Sequence, residues 1–378
     1  MIVKLKDVVN RVNNNIDRFT TDIQYYLGKG HGECGELAIS EHGDLKKDVG
    51  TLGFKFHFGF KPGDTLFFSR SFALRKAGMA TYEGICSDST YILRSKDEAK
   101  LLSKYLPIVL QSDVFWEYCD THHTGGVNFL INWSTLADYE FDLPCLEEQQ
   151  RISDRIWSAY NLKESYKKLL IATDELVKSH FIEMFGTLGN PKGKIESLGT
   201  LCNIQRGGSP RPISEYITDQ SDGLNWIKIG DTDDSMYITK TEEKIKPSGL
   251  RKTRQVYAGD LLLSNSMSFG RPYILKIDGC IHDGWLVLHI NDATKLSPIY
   301  LCSYLSQQGT YSEMAKLAAG GVVQNLNSNI IKQLAVIVPN IEEQTKYIQI
   351  LEQADKSKFE LRKSIEAIDA VIKSLING

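Results

Sequence analysis

"LPCLEEQQRI" at residues 143–152 and "VPNIEEQTKYI" at residues 338–348 share one motif: Pro, any residue, an aliphatic residue, then Glu-Glu-Gln. Pro144 and Pro339 are 195 positions apart in a chain of 378 residues. In the second copy, Asn340 is a good helix N-cap and Glu343 completes a capping-box pattern. Cys145 occupies the same position in the first copy and is a weaker cap. The motif therefore predicts that a helix begins at two matched places in the chain.

Two further pairs of segments match at nearly the same separation. "KPGDTLFF" at 61–68 matches "YAGDLLLS" at 257–264, and "TGGVNFLINWS" at 124–134 matches "AGGVVQNLNSN" at 319–329. The three motifs keep their order in both halves of the chain, which indicates a tandem duplication. A period of about half the chain predicts two similar domains rather than a solenoid of short repeats. The same comparison aligns Arg75 with Arg271.

Each Glu-Glu-Gln motif is followed by a long segment without Pro or Gly, at 147–184 and 342–376. Residues recur in both at alternating spacings of three and four, which is typical of a coiled-coil seam. Each helix would be roughly 50–57 Å long, and antiparallel pairing would place the globular halves at opposite ends. The residues expected to pair are Ile156, Tyr166, Leu170 and Val177 in the first helix, and Leu351, Leu361, Ile365, Ile368 and Ile372 in the second.

The remaining sequence is rich in short β-like runs punctuated by Gly, Pro and Asp, with helical stretches near 97–119 and 298–317. The predicted fold class is α+β: two similar mixed α/β domains separated by two long helices that pair as an antiparallel coiled coil. The predicted boundaries are 1–143 for the first domain, 144–189 for the central helical spacer, 190–340 for the second domain and 341–378 for the C-terminal helical spacer.

Composition indicates an ordinary globular protein of the cytoplasm. No window of 18 apolar residues predicts a membrane span, and the N-terminus lacks the pattern of a secretory signal. The seven cysteines are scattered and odd in number, without a C-x-x-C pair, which favours reduced thiols over disulfides or a zinc cluster. The net charge of −3 counts mildly against nucleic-acid binding.

Basic side chains nevertheless cluster beside glycine-rich turns, in "SRSFALRKAG" (69–78), "QRGGSPRP" (205–212) and "SFGRP" (268–272). Arginines on such loops can approach a phosphate or the edge of a guanine closely, although any single one can be an ordinary surface residue. The candidate DNA-contacting residues are Arg70, Arg75, Lys76, Arg206, Ser209, Arg211 and Arg271.

Catalytic signatures are missing from the sequence. It contains neither a phosphate-binding P-loop nor a G-x-S-x-G elbow or an H-E-x-x-H motif. His31, Glu33 and Cys34 lie close together, but one short cluster is a weak indication of a metal site, and the second half has no matching cluster. Two like domains on a rigid spacer instead indicate a protein that reads two things at a fixed separation. A protein–protein adaptor and an enzyme with an unrecognised site around His31 are the competing hypotheses.

The motifs together resemble the DNA specificity subunits of type I restriction-modification systems, over essentially the full length of the chain. The resemblance rests on the two Glu-Glu-Gln helices, on "GDTLFFSR" and "GDLLLSNS", on "TGGVNFLI" and "AGGVVQNL", and on "IQRGGSPRP". It implies that each globular half is a target-recognition domain for one part of a split DNA site. The specificity subunit of a related type II system, with a fused methyltransferase-nuclease partner, is the alternative within this group.

The resemblance also implies which partners act with the chain. The two helices would fix the gap between the half-sites on double-stranded DNA and dock two methyltransferase subunits. Restriction subunits with translocase and nuclease activity would join the complex. S-adenosylmethionine, ATP and Mg would then belong to partner subunits, with no cofactor, no metal and no catalytic residue in this chain. The first copy departs from the family pattern at Cys145 and in its polar seam.

Overall fold

A computed structural model of the protein describes residues 1–70, 72–126, 129–233, 235–265, 269–318 and 327–378. The chain divides into two compact units. Unit 1 comprises Met1–Leu169 and Glu360–Gly378, and unit 2 comprises Leu170–Phe359. Each unit mixes strands and helices, so the predicted α+β class is confirmed. Within the described residues, none of the helices has the length and apolar character needed to cross a membrane.

Unit 1 contains two mixed sheets and a two-stranded ribbon. Its strands are β1 (Ile2–Lys4), β2 (Val9–Val12), β3 (Tyr25–Leu27), β4 (Ala38–Ile39), β5 (Gly43–Asp44), β6 (Phe56–Phe60), β7 (Thr65–Phe68), β8 (Ala77–Ala80), β9 (Gly84–Ser87), β10 (Thr90–Ser95) and β11 (Glu140–Asp142). The sheet orders are β2-β10-β7-β8-β4, β5-β3-β9-β6 and β1-β11. Its short helices are α1 (Leu5–Val8), α2 (Leu45–Asp48), α3 (Leu106–Leu110), α4 (Asp113–His122) and α5 (Trp133–Ala137).

The first long helix, α6 (Leu146–Phe185), begins in unit 1 and ends in unit 2. The strands that follow are β12 (Gly186–Thr187), β13 (Asn190–Pro191), β14 (Lys194–Ser197), β15 (Cys202–Arg206), β16 (Leu224–Ile227), β17 (Tyr237–Ile238), β18 (Glu243–Ile245), β19 (Arg254–Val256), β20 (Leu261–Ser264), β21 (Pro272–Leu275), β22 (Gly279–Ile281), β23 (Trp285–Ile290) and β24 (Ala335–Val338). The helices are α7 (Leu198–Leu201), α8 (Pro298–Leu305), α9 (Gln308–Ala318), α10 (Ser328–Ile331) and α11 (Ile341–Asn377).

The sheets of unit 2 repeat those of unit 1 strand for strand. Their orders are β15-β23-β20-β21-β17, β18-β16-β22-β19 and β14-β24. Each strand of unit 1 therefore has its counterpart thirteen strand numbers later, and the hairpin β12-β13 is the one addition among the described residues. This agreement is structural support for the duplication seen in the motifs. The "AGGVVQNL" copy lies outside the described residues, as do Val127 and Asn128 of the first copy.

The Gly-Asp motif holds the central strands of each unit. Asp64 is 3% exposed and accepts from Arg94 Nε at 2.7 Å and from Lys61 N at 2.9 Å. Asp260 accepts from Tyr257 N at 2.8 Å and lies 2.8 Å from His289 Nδ1. A carboxylate at this turn ties neighbouring strands together, so the motif is part of the frame of the fold.

The glutamine of Glu-Glu-Gln is fully buried in both copies and makes the same three hydrogen bonds. Gln149 Nε2 donates to the carbonyls of Lys100 and Pro144, and Gln344 Nε2 to those of Lys295 and Pro339, all at 2.8–2.9 Å. The Oε1 atoms accept from Leu102 N at 3.0 Å and Ser297 N at 2.9 Å, respectively. The motif therefore does more than start a helix, because its glutamine binds the first turn to a segment 47–49 positions earlier in the chain. The predicted cap is also present, since Asn340 Oδ1 accepts from Glu343 N at 2.9 Å.

The two long helices pack in an antiparallel sense within unit 2. Asp174 of α6 lies 2.9 Å from Lys358 of α11, and the Phe181 ring lies 5.2 Å from the Tyr347 ring. Residue numbers thus rise along one helix as they fall along the other. In unit 1, Lys163 of α6 bridges Asp369 of α11 at 2.7 Å. Lys163 and Asp369 are the residues 195 positions from Lys358 and Asp174, so one ion pair recurs in both copies.

The predicted seam residues differ in burial but none of them is exposed. Ile156, Val177, Leu351 and Ile372 are buried. The half-buried ones are Tyr166, Leu170, Leu361, Ile365 and Ile368. The helical stretch predicted near 298–317 agrees with the observed span, whereas the one predicted near 97–119 begins later, at Leu106. Each is two helices, broken at Gln111–Ser112 and at Ser306–Gln307, because Ser112 caps a new helix by accepting from Phe115 N.

Candidate nucleic-acid interface

The loop "QRGGSPRP" joins β15 to β16 in unit 2 and lies against the turn between β22 and β23. Gly207 N donates to the carbonyl of Trp285 at 2.9 Å, and Gly208 N to that of Ile281 at 3.2 Å. A Cβ atom at position 207 would lie 2.1 Å from the carbonyl oxygen of His282. Only glycine permits this close approach, so the Gly-Gly pair fixes the path of the loop.

Asp283 on that turn contacts three of the predicted DNA-contacting residues. Its Oδ1 accepts from Ser209 Oγ at 2.6 Å, and its Oδ2 lies 3.9 Å from Arg211 Nη2. Its backbone carbonyl accepts from Arg206 Nε at 3.0 Å and from Asn265 Nδ2 at 3.1 Å. The hydrogen bond from Ser209 is the main reason that the pKa of Asp283 lies below its ordinary value. Asp283 therefore holds the loop in place, while Arg206 and Arg211 on this loop are both exposed.

Arg271 lies apart from these contacts, at the start of β21. Its Nη2 donates to the carbonyl of Asp233 at 3.1 Å, and its guanidinium lies 5.3 Å from the centroid of the Tyr273 ring. The Arg271 carbonyl accepts from Ser264 N at 3.0 Å, as the Lys76 carbonyl accepts from Phe68 N at 3.1 Å. The structural counterpart of Arg271 is therefore Lys76. The alignment with Arg75 was wrong by one residue, because the loop in unit 1 is one residue longer.

The three candidates in unit 1 point to different surroundings. Arg70 is exposed and lines a cavity of about 600 Å³. Arg75 has a positive φ of 48° and lies 3.9 Å from Asp113 and 3.7 Å from Asp120. Lys76 Nζ donates to the carbonyl of Lys29 at 3.2 Å. The polar and aromatic side chains around the cavity of Arg70 are Lys29, Phe56, Phe68, Ser87, Ser89, Thr90 and Phe129.

His31, Glu33 and Cys34 do not form a metal centre. His31 Nδ1 accepts from Gly28 N at 3.0 Å, and burial lowers the pKa of this imidazole. The Glu33 carboxylate lies 3.7 Å from Lys167 Nζ. Across the described ranges of the chain, no cluster of three or more His, Cys, Asp or Glu side chains could hold a metal ion. His31 and Glu33 instead contact Gly28 and Lys167 of α6, respectively.

Sequence reasoning missed Asp283, Asn265 and Lys29. Asp283 stands in "IHDGW" (281–285), between two β-like runs, and it is 195 positions after Asp88. A matched aspartate on a matched turn was therefore a readable signal. Asn265 is buried, and Lys29 shares a glycine-rich segment with His31, so neither had a pattern that separated it from its neighbours.

Comparison with known proteins places this fold. A solved structure that describes complex assembly and conformational transition of the type I R-M system is 18% identical, with a TM-score of 0.62 over 100% of this chain and 96% of that chain. The type I restriction-modification system S subunit from M. genitalium is 13% identical, with a TM-score of 0.58 over 100% and 94%. At these identities the likeness establishes the fold alone: duplicated α+β units with two long helices.

A family model matches the second half of the sequence. Residues 193–369 match the family model of the type I restriction modification DNA specificity domain. This part of the chain is therefore similar to that DNA specificity domain, in agreement with the resemblance carried by the motifs.

Proposed function

We propose that each globular unit reads one half of a bipartite site on double-stranded DNA, while the two long helices set the length of the unread gap. The observation that carries this proposal is the duplicated topology: equivalent turns, between β9 and β10 and between β22 and β23, stand beside exposed basic residues in both units. Two like readers in one chain match a site with two defined parts. Arg206, Ser209, Arg211 and Arg271 would contact DNA in unit 2, and Arg70, Arg75 and Lys76 in unit 1.

The chain itself would be a non-catalytic recognition subunit that acts in the cytoplasm. Two methyltransferase subunits would bind S-adenosylmethionine and modify the DNA, and restriction subunits would use ATP and Mg for translocation and cleavage. The solved type I R-M structure that shares this fold concerns complex assembly, which favours a chain that works with such partners. Partner subunits would also supply part of the positive surface that the net charge of −3 does not provide.

The long helices carry apolar side chains suited to docking those partners. Exposed apolar patches on a protein surface commonly mark interaction sites. In unit 1 the side chains that are 45–51% exposed on the helices are Leu162, Leu169 and Val371. In unit 2 the side chains that are 52–62% exposed are Ile171, Leu176, Ile182 and Phe359.

The decisive experiment is to co-express the chain with its methyltransferase subunit and map methylated adenines on the host genome. Two short defined sequences around a fixed unread gap are expected. A continuous motif would mean that only one unit reads DNA. An absence of methylation together with an absence of a stable complex would reject the proposal and favour a protein–protein adaptor.

A further inference from the structure

Asp283 lies on the β22–β23 turn of unit 2, against which the loop 205–212 packs. The loop 205–212 touches this one residue through three side chains, whereas its glycines touch the backbone of residues 281–285. Asp283 N also lies 3.4 Å from Ser209 Oγ, so the serine hydroxyl is held between the amide and the carboxylate of one residue. Ser209 and Asp283 are 74 positions apart, and their contact closes the loop onto the β22–β23 turn.

The exposure of these side chains distinguishes those that hold the loop in place from those that could contact DNA. The Arg211 side chain is 78% exposed, whereas that of Asp283 is 48% exposed. Ser209 is half-buried, and Pro210 beside it is buried. An arginine 3.9 Å from a carboxylate can leave it for a phosphate or a base edge, because that contact is open to water. The serine bond at 2.6 Å is shorter and charge-assisted, so it can persist while the arginines engage DNA.

We infer that Asp283 is the positioning residue of unit 2: its carboxylate and backbone carbonyl preset the loop 205–212 for DNA reading. The inference rests on the proposed function and adds how one half-site acquires its specificity. Ordering a loop before binding removes an entropic cost that would otherwise weaken the complex. Because Asp283 acts through Arg206, Ser209 and Arg211, its loss should relax several base pairs of a single half-site together.

A direct contact is the competing role, since an aspartate can accept a hydrogen bond from the amino group of cytosine. The two roles differ in their footprint. A direct contact relaxes one base pair, whereas a positioning residue relaxes every base pair that the loop reads. They also differ without DNA, because only a positioning residue changes the hydrogen exchange of the loop amides in the free protein.

The test uses the full chain assembled with its methyltransferase subunits and duplexes substituted one base pair at a time in each half-site. Asp283→Ala should lower discrimination roughly tenfold or more across one half-site, as expected for a lost hydrogen bond to a charged group. Asp283→Asn should lose less, because its side-chain oxygen can still accept from Ser209. Ser209→Ala should lose more than the Asn variant, because it removes that hydrogen bond altogether. The same variants should raise exchange of the amides of residues 206–209 and 211.

Asp88→Ala is the matched control. Asp88 lies on the equivalent turn of unit 1, where it pairs with Lys55 Nζ at 2.7 Å, so this variant should leave the half-site affected by Asp283→Ala unchanged. Thermal unfolding of each variant separates a reading defect from a folding defect, and the Asn variant serves if the Ala variant unfolds.

Three results would overturn the inference. Relaxation of one base pair with unchanged exchange would assign Asp283 a direct contact. If all variants discriminate as wild type does and a bipartite site is still read, Asp283 has no positioning role and the proposed function is unaffected. Loss of bipartite reading in the wild-type complex itself would remove both.

Discussion

The two units differ at one turn, although their sheets have the same topology. In unit 2 the loop 205–212 folds over the turn and binds Asp283. In unit 1 the loop between β2 and β3 instead runs along β6, where Ile16 N donates to the His57 carbonyl and Gly59 N to that of Asn14, both at 2.8 Å. The turn of unit 1 is left beside the cavity of about 600 Å³. The duplicated frame has therefore kept its strands while the loops that could read DNA have diverged.

What the units share are the contacts that hold the frame together. Gln149 and Gln344 make equivalent hydrogen bonds to equivalent backbone groups, and the lysine–aspartate pair of the long helices occurs in both copies. The loop that follows β2 or β15 takes a different path in each unit, and a change on a loop alters what the protein can contact without disturbing the sheets. Matched substitutions in the two units can measure how far this equivalence extends.

The largest expected effect is at the buried glutamines. Gln149→Leu and Gln344→Leu should each destabilise their own unit by about 3 kcal/mol, because each leaves two carbonyls and one N–H without their partner. Urea unfolding, with hydrogen exchange read separately for each unit, measures both losses. Gln150→Leu, at an exposed neighbour that bonds only Asp154 among the contacts described, should change stability by less than about 0.5 kcal/mol. A large loss in only one unit would show that the two clamps are not equivalent.

Substitution of the equivalent helix lysines, Lys163 and Lys358, should destabilise the two units by different amounts. The Lys163 side chain is 7% exposed and bridges Glu36 at 2.9 Å as well as Asp369, whereas that of Lys358 is 15% exposed and its two aspartate partners are 44–51% exposed. Lys163→Met should therefore cost about 3 kcal/mol, as for a broken buried pair. Lys358→Met should cost about 1 kcal/mol.

Chemical unfolding of both variants checks the order. The exposed Lys168→Met serves as the control, with an expected change near zero. Equal losses at Lys163 and Lys358 would contradict the assignment of the stronger network to unit 1.

Arg271 before β21 and Lys76 before β8 are equivalent positions, and substituting them tests whether both contact DNA in the same way. If each contacts a phosphate, Arg271→Ala and Lys76→Ala should each reduce the slope of log affinity against log salt by about 0.9, without changing sequence preference. If Arg271 reads a guanine, one base pair should relax at a cost of roughly 1–3 kcal/mol. Salt titrations of the assembled complex on cognate and substituted duplexes distinguish these cases. An unchanged slope and an unchanged preference would remove Arg271 from the interface.

The frame was predictable from sequence because it is local and repeated. Both long helices agree with their predicted segments, 147–184 and 342–376, to within one residue at each end. The buried role of Gln149 was not predictable, because its partner Lys100 lies 49 positions away. The convergence of Arg206, Ser209 and Arg211 on Asp283 depends on a contact across 74 positions. The dispersal of Arg70, Arg75 and Lys76 arises because neighbouring residues of a short loop point in different directions.

The smallest expected effect is an acid dependence confined to unit 1. Burial raises the pKa of Glu36, but hydrogen bonds from Lys167 and Lys163 outweigh it and leave the pKa below its ordinary value of 4.5. A carboxylate with a depressed pKa adds stability above its unfolded pKa, and that stability is lost as pH falls through the folded pKa. The unfolding free energy of wild type relative to Glu36→Gln should therefore be constant above about pH 5 and should shrink below pH 4.5. Urea unfolding of both proteins, at pH values above and below this range, measures the difference in unfolding free energy. If that difference stays constant into strong acid, the lysines do not hold Glu36 ionised.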